Sequence, residues 1–161
     1  MSLHIRPATR ADVPLILDLI RALAEYEKLS HECVASEETL AATLFGERPA
    51  AEVLIAEYEG KPAGFTLFFT NYSTFLARPG LYLEDIFVYP ELRGRGIGLR
   101  LMRHLARLAV ARGYGRFEWS VLDWNEPSIA FYRSLGAVPM DEWTVQRISG
   151  QALEALAAAA D

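Results

Sequence analysis

The chain has 161 residues, 52% of them apolar and 23% charged, with a formal net charge of −5. That length and composition suit one globular domain with its own core and exclude a disordered chain, while the acidic balance argues against a non-specific nucleic-acid binder. Cys33 is the only cysteine, which excludes an internal disulfide, and with no partner histidine in sequence it reads as a spectator thiol. His4, His31 and His104 are scattered, and neither H-E-x-x-H nor paired C-x-x-C spacing occurs, so no metal is expected. No apolar stretch approaches the ~18 residues of a membrane span, and the start lacks a signal-peptide layout, which together predict a cytoplasmic protein that uses no membrane.

Leu3 to Pro7 reads as a short strand. Asp12 is positioned to cap a helix that tolerates Pro14 in its first turn. Val13, Ile16, Leu17, Ile20, Leu23 and Ala24 recur along it at three- and four-residue spacing, one buried stripe ending near Glu27 and Lys28. Ser36, with Glu37, Glu38 and Thr39 after it, opens a second helix ending near Gly46. Val53 to Tyr58 and Ala63 to Thr70 flank a Gly60-Lys61 turn as an antiparallel hairpin. Asn71 to Gly80 reads as a loop, and Leu81 to Tyr89 as the most strand-like run of the chain.

A helix follows from about Gly98 to Ala111, with Leu101, Met102, Leu105, Leu108 and Ala109 on its apolar face and Arg100, Arg103 and Arg107 elsewhere. Phe117 to Leu122 is another strand. Asn125, Glu126 and Pro127 open a helix that Gly136 closes. Trp143 to Ile148 is a last strand before a short alanine-rich helix. The order β α α β β β α β α β predicts one α/β domain over residues 1–161, a mixed sheet with helices on its faces.

Arg93-Gly94-Arg95-Gly96-Ile97-Gly98 stands between the strongest strand and a strong amphipathic helix. Glycines at alternate positions admit positive φ and close approach, so successive N–H groups point into one concavity at a helix N-terminus. Such a turn suits a pyrophosphate. A Walker A loop would need Gly-Lys-Ser/Thr at its end, and a dinucleotide fingerprint would need glycine where Leu99 stands.

R-G-x-G-I-G at the head of a helix, after a strand ending in V-Y-P, resembles motif A of the GNAT acetyltransferase superfamily. Trp124 to Ala137 (WNEPSIAFYRSLGA) resembles its motif B. With Arg6 to Asp12 and Tyr82 to Val88 (YLEDIFV), the chain is similar to the diamine acetyltransferase branch, and Ala24 to Ser30 and Leu122 to Asn125 lean toward its thialysine-acetylating members. The resemblance implies a mostly antiparallel sheet with a central parallel pair splayed at the cofactor site, acetyl-CoA as co-substrate, a small-molecule amine as acceptor and a homodimer. It implies that backbone at Ile86, Phe87 and Val88 pairs with the pantetheine arm. Gly94, Arg95, Gly96, Ile97, Gly98 and Leu99 would hold the pyrophosphate, with Arg93 also at the rim. Asn125, Glu126, Pro127, Ser128 and Tyr132 would line the other wall of the cofactor cleft. Tyr132 takes the role of general acid and Glu84 contacts or deprotonates the amine. Tyr26 and Glu27 match an amine-groove pair, and Glu142 a further acidic contact, although the spacing around Asp141 to Trp143 departs from the family pattern.

The chemistry fits these residue types. An alkylammonium titrates near ~10.4 and must lose a proton before it attacks a thioester, which a carboxylate can accept after attracting the cation. A phenol titrating near ~10 can protonate the departing thiolate. Glu84 and Asp85 are consecutive in a strand and are expected to face opposite sides, so one of them reads equally as a solvated edge residue. Apart from the resemblance, Tyr132 is an amphipathic-helix aromatic of the kind that fills cores. Two rival readings are an acetylase of protein N-termini, lysines or antibiotics on the same fold, and a non-catalytic acyl-CoA sensor; the presence of both Glu84 and Tyr132 favours turnover.

Overall fold

Strand β1 (Leu3–Pro7) and helix α1 (Val13–Tyr26) are fastened together by one ion pair. Arg6 donates from both terminal nitrogens to Asp12, at 2.7 and 2.9 Å. The Asp12 carboxylate also accepts from the Thr9 N–H at 2.7 Å, so it caps the 3-10 turn before α1 and makes no side-chain cap on the helix itself. This partner set, the Arg6 hydrogen bond above all, holds the Asp12 carboxyl down at about 2. The computed structural model describes residues 2–161. They form two compact units, the first ending at Ser120 and the second running from Val121 to Asp161.

Helix α2 (Glu37–Leu44) starts at Ser36, whose hydroxyl accepts from the Thr39 N–H while the Thr39 hydroxyl accepts from the Ser36 N–H. That reciprocal pair satisfies two donors the helix cannot use. Strands β2 (Glu52–Tyr58) and β3 (Lys61–Ser73) are joined by Glu59 and Gly60, both at positive φ (+52° and +76°). Two left-handed residues give the hairpin turn whose twist matches its strands.

Strand β4 (Arg78–Val88) pairs with β3 as far as Ser73–Arg78. The segment 71–80, expected as a loop, is therefore mostly hairpin. Its Asn and Pro residues sit on an arm that β2 does not reach, where the pairing tolerates them. Helix α3 (Ile97–Ala111) begins one residue before the expected start. Its buried face is Ile97, Leu101, Met102, Leu105 and Ala109. Strand β5 (Phe117–Trp119) pairs parallel with β4 at Leu81–Phe117 through Leu83–Trp119.

The sheet runs β1-β2-β3-β4-β5, antiparallel except for its last pair. The parallel pair thus stands at the end of the sheet rather than its centre. On one face α1 and α2 bury Ile16, Leu19, Leu23 and Leu40 against Val53, Ile55, Phe65 and Phe87. On the other, Ile97 and Leu101 of α3 pack on Ala56 and Ala63, with Ile86 and Val88 beside them. Every second residue of a strand therefore belongs to one helical layer.

The second unit contains α4 (Glu126–Ser134) and α5 (Gly150–Ala158). Asn125 caps α4 by accepting from the Ser128 N–H at 3.3 Å, and Gly136, at φ +94°, lies just past its end. The strand expected over Trp143 to Ile148 is absent: the stretch between α4 and α5 carries no helix or strand. Trp143 is 77% and Val145 78% exposed. Its alternating pattern is that of a strand, but a strand forms only where a neighbouring backbone completes the ladder.

Candidate functional site

The register of β4 slips once. Leu67 of β3 faces Asp85, whereas the next residue, Phe68, faces Leu83, which leaves Glu84 as one extra residue between them. Leu67 packs with the α1–α2 layer. Phe68 shares a cleft with Leu54, His104 and Leu108 on the α3 side. Leu83 therefore faces α3 and Asp85 faces α1, an odd step for two residues of the same parity. Simple alternation fails at an inserted residue, and the charges of Glu84 and Glu27 act on Asp85 while that of Glu84 acts on Glu27.

Their environments differ. Glu84 is exposed. Burial first, then the charges of Glu84 and Glu27, pushes the Asp85 carboxyl up to about 7. Burial and then Glu84 also raise Glu27. Among the described residues no group of acidic, histidine or cysteine side chains converges tightly enough to hold a metal ion. A bound ammonium would bring the opposite charge to this acidic cluster.

Tyr26 is the last residue of α1 and Glu27 its C-cap, with the Glu27 N–H bonded to the Leu23 carbonyl at 2.9 Å. Both are half-buried, and Lys28 follows at φ +63°, where the chain turns away. Phe87 extends the aromatic floor, its ring centroid 6.4 Å from that of Tyr26 and 5.8 Å from that of Tyr89. Tyr26, Glu27 and Asp85 thus stand on one side of the sheet, with the charge of Glu84 acting on both Glu27 and Asp85.

Beside them β4 is left partly open. Pairing with β5 stops at Leu83, so among the described residues no strand lies against Asp85 to Val88 on that side. On its other side Gly64 sits opposite Val88, and a Cβ there would come within 2.3 Å of the Phe87 carbonyl oxygen. Only glycine allows β3 this close to β4. The open side of β4 at Ile86 to Val88, where the Val88 carbonyl accepts from Arg93, is where an extended amide-bearing arm can add to the sheet.

The glycine turn completes the arrangement. Gly94 and Gly96 both adopt φ +79°, and a Cβ at Gly94, Gly96 or Gly98 would meet nothing within 4 Å. The N–H groups of Ile97, Gly98 and Leu99 open α3 and have no acceptor within the helix. This open cradle of donors fits a pyrophosphate. Arg95 lies over Tyr58, with its guanidinium carbon 5.3 Å from the ring centroid. The Arg93 guanidinium lies over Tyr26, its carbon 4.5 Å from the centroid.

The remaining candidates belong to the second unit. Asn125, Glu126, Pro127 and Ser128 form the start of α4, and Tyr132 lies in its last turn, with its ring 5.5 Å from that of Phe131. Glu142 is exposed in a turn outside any helix or strand. The residue that sequence reasoning missed is Asp85. The signal that could have found it is the pair of consecutive acids in an otherwise apolar strand, where one must be buried or the strand must bulge.

Residues 19–137 match the acetyltransferase (GNAT) family model. The thialysine N-epsilon-acetyltransferase of Mus musculus is 40% identical over 97% of this chain and 98% of its own length. The L-ornithine N5-acetyltransferase of Arabidopsis thaliana is 37% identical over 95% of this chain and 87% of its own. Among solved structures, an integron cassette protein from the mobile metagenome of V. cholerae has a TM-score of 0.84 at 29% identity, covering 99% of both chains. The ribosomal-protein-alanine N-acetyltransferase from Brucella melitensis shares the fold, with a TM-score of 0.75 at 21% identity over 93% of this chain and 100% of that one.

Proposed function

The chain belongs to the acetyltransferase (GNAT) family and is an acetyltransferase, and from that premise we propose that its acceptor is the primary amine of a small cationic molecule of the polyamine, diamine or thialysine type. GNAT acetyltransferases use acetyl-CoA as co-substrate. The observation that carries the choice of acceptor is the mutually repelling set of Glu27, Glu84 and Asp85 beside the open edge of β4. Three carboxylates that repel one another attract a cation, and the two relatives named above act on small molecules that carry amines.

The transfer is direct, within a ternary complex. The ammonium gives a proton to Glu84, directly or through water, and Asp85 lies next to it as a second acceptor. The freed amine attacks the thioester carbon; the C–N bond forms and the C–S bond breaks. The phenol of Tyr132 gives its proton to the departing thiolate and recovers one from solvent. Placement of amine and thioester supplies most of the acceleration, ~7–11 kcal/mol in favourable systems. The backbone of Ile86 to Val88 holds the pantetheine arm and Gly94 to Leu99 the pyrophosphate, and Asn125 to Ser128 are assigned to the cofactor by their match to the family's motif B. The Glu84 and Tyr132 roles rest on the family's motifs. The protein acts as a homodimer, a reading supported by the exposed apolar side chains of Val138, Met140, Trp143 and Val145.

The test is CoA release from acetyl-CoA with spermidine, putrescine, thialysine, ornithine, lysine and an N-terminal peptide, run beside Glu84→Gln and Tyr132→Phe. Turnover on a small amine, with kcat cut about 100-fold or more in each variant and acetyl-CoA binding kept, supports the acceptor and both roles. Turnover on the peptide alone would overturn the small-amine reading.

A further inference from the structure

We propose that Arg93 is a positioning residue of the amine groove, holding Tyr26 and through it Glu27, and that its side chain is not a ligand of the pyrophosphate. The inference rests on the reading of Tyr26 and Glu27 as part of that groove. Arg93 opens the glycine turn, and position alone would give its charge to phosphate. The geometry sends the side chain elsewhere. Its Nε donates to the Val88 carbonyl at 3.0 Å. Its guanidinium carbon lies 4.5 Å from the Tyr26 ring centroid and 5.4 Å from that of Phe87.

Those contacts belong to one layer of the molecule. Phe87 and Tyr26 pack with the α1–α2 core, whereas the first turn of α3 packs through Ile97 on the opposite face. The guanidinium therefore lies with the amine-side layer while the backbone of its own turn opens the phosphate cradle. One group is anchored by a hydrogen bond to the end of β4 and stacked on the last residue of α1. It fixes the distance between the C-terminal end of α1, where Glu27 is the cap, and the strand that carries Glu84 and Asp85. A planar guanidinium does this better than an ammonium, because it stacks and donates in directed fashion. Burial and then Glu84 raise the Glu27 carboxyl, and burial followed by Glu84 and Glu27 raises that of Asp85, so the acids beside this contact remain an acidic cluster for substrate.

The experiment compares wild type with Arg93→Met, Arg93→Lys, Tyr26→Leu and the Arg93→Met/Tyr26→Leu pair. It measures KM for the best amine, kcat, and acetyl-CoA binding by titration calorimetry. Arg93→Met is expected to raise the amine KM about fivefold to twentyfold and leave acetyl-CoA affinity within about twofold, with Arg93→Lys in between. The double variant is expected to lose little more than the worse single one, since both changes break the same contact. A fall in acetyl-CoA affinity with unchanged amine KM would overturn the proposal, as would strictly additive losses. Should Arg93→Met not fold, the same cycle with Arg93→Lys decides between these outcomes. A wild type that acetylates no small amine ends the groove reading and this inference together, whereas normal amine kinetics in the variants ends this inference alone.

Discussion

Asp85 faces Leu67 across the β3–β4 pair on the α1 side of the sheet, although Leu83, two positions before it, packs toward α3. The bulge at Glu84 that produces this places a carboxyl in a part-buried, acidic setting, and it has a consequence for pH. Asp85 titrates near 3.8 when unfolded and at about 7 in the fold. Below about pH 4 it is protonated in both states, and its contribution to stability is fully present. As pH rises through 7 the folded protein must accept a buried charge and that contribution is lost. The Tm of the wild type without amine is expected to fall between pH 5 and 8, whereas Asp85→Asn holds a flatter profile. The difference at pH 8 should be on the order of 1–4 kcal/mol. Parallel profiles for the two proteins would contradict the assignment.

Gly96 tests the cradle. At φ +79° with open space around it, an added Cβ meets no neighbour, so Gly96→Ala carries only backbone strain of about 1 kcal/mol in the fold. Against a pyrophosphate the same methyl stands in the approach. Acetyl-CoA affinity should drop about tenfold or more with a small change in Tm, both read from one thermal-shift and calorimetry series. Equal affinity in the variant would remove the cradle from the cofactor site.

Gly64→Ala should behave in the opposite way. Its methyl would meet the Phe87 carbonyl oxygen at 2.3 Å, a backbone contact that cannot swing aside. Forcing β3 and β4 apart there should cost about 2 kcal/mol or more and weaken acetyl-CoA binding along Ile86 to Val88 at the same time. Urea unfolding alongside binding checks both; a variant as stable as wild type would show that the strands separate freely.

Thr66 offers a stabilising change. It is fully buried, and its hydroxyl has no hydrogen-bond partner among the described residues. Thr66→Val keeps the shape and removes the unsatisfied group, and should raise stability by about 1 kcal/mol with no loss of acetyl transfer. No gain in the urea midpoint would mean that water already serves the hydroxyl.

The parts of this architecture that depend on local chemistry were legible in the sequence. Ser36 and Asn125 cap where expected, the periodicity of α3 finds its buried face, and the glycine turn stands between the strand and helix it requires. What was not legible depended on partners. Trp143 to Ile148 has a strand's alternation but no ladder, and Asn71 to Gly80 has loop residues on a hairpin that tolerates them. The face taken by Asp85 was set by a slip in pairing, and the Arg93 side chain was claimed by aromatic rings from α1 and β4. The second event leaves no mark in a single chain read by spacing, and the first leaves only the two consecutive acids in an apolar strand.

Glu84 is surplus to its strand, and that makes its presence separable from the fold in a way a substitution is not. A chain with Glu84 deleted would pass from Leu83 straight to Asp85 with the regular alternation of β4 restored, every later residue keeping its partner on β3. Such a strand is better paired and carries one acid fewer. The acidic patch is therefore a property of chain length as much as of side-chain type, gained or lost by a single codon's insertion while Phe87, Val88 and the turn beyond them stay in register.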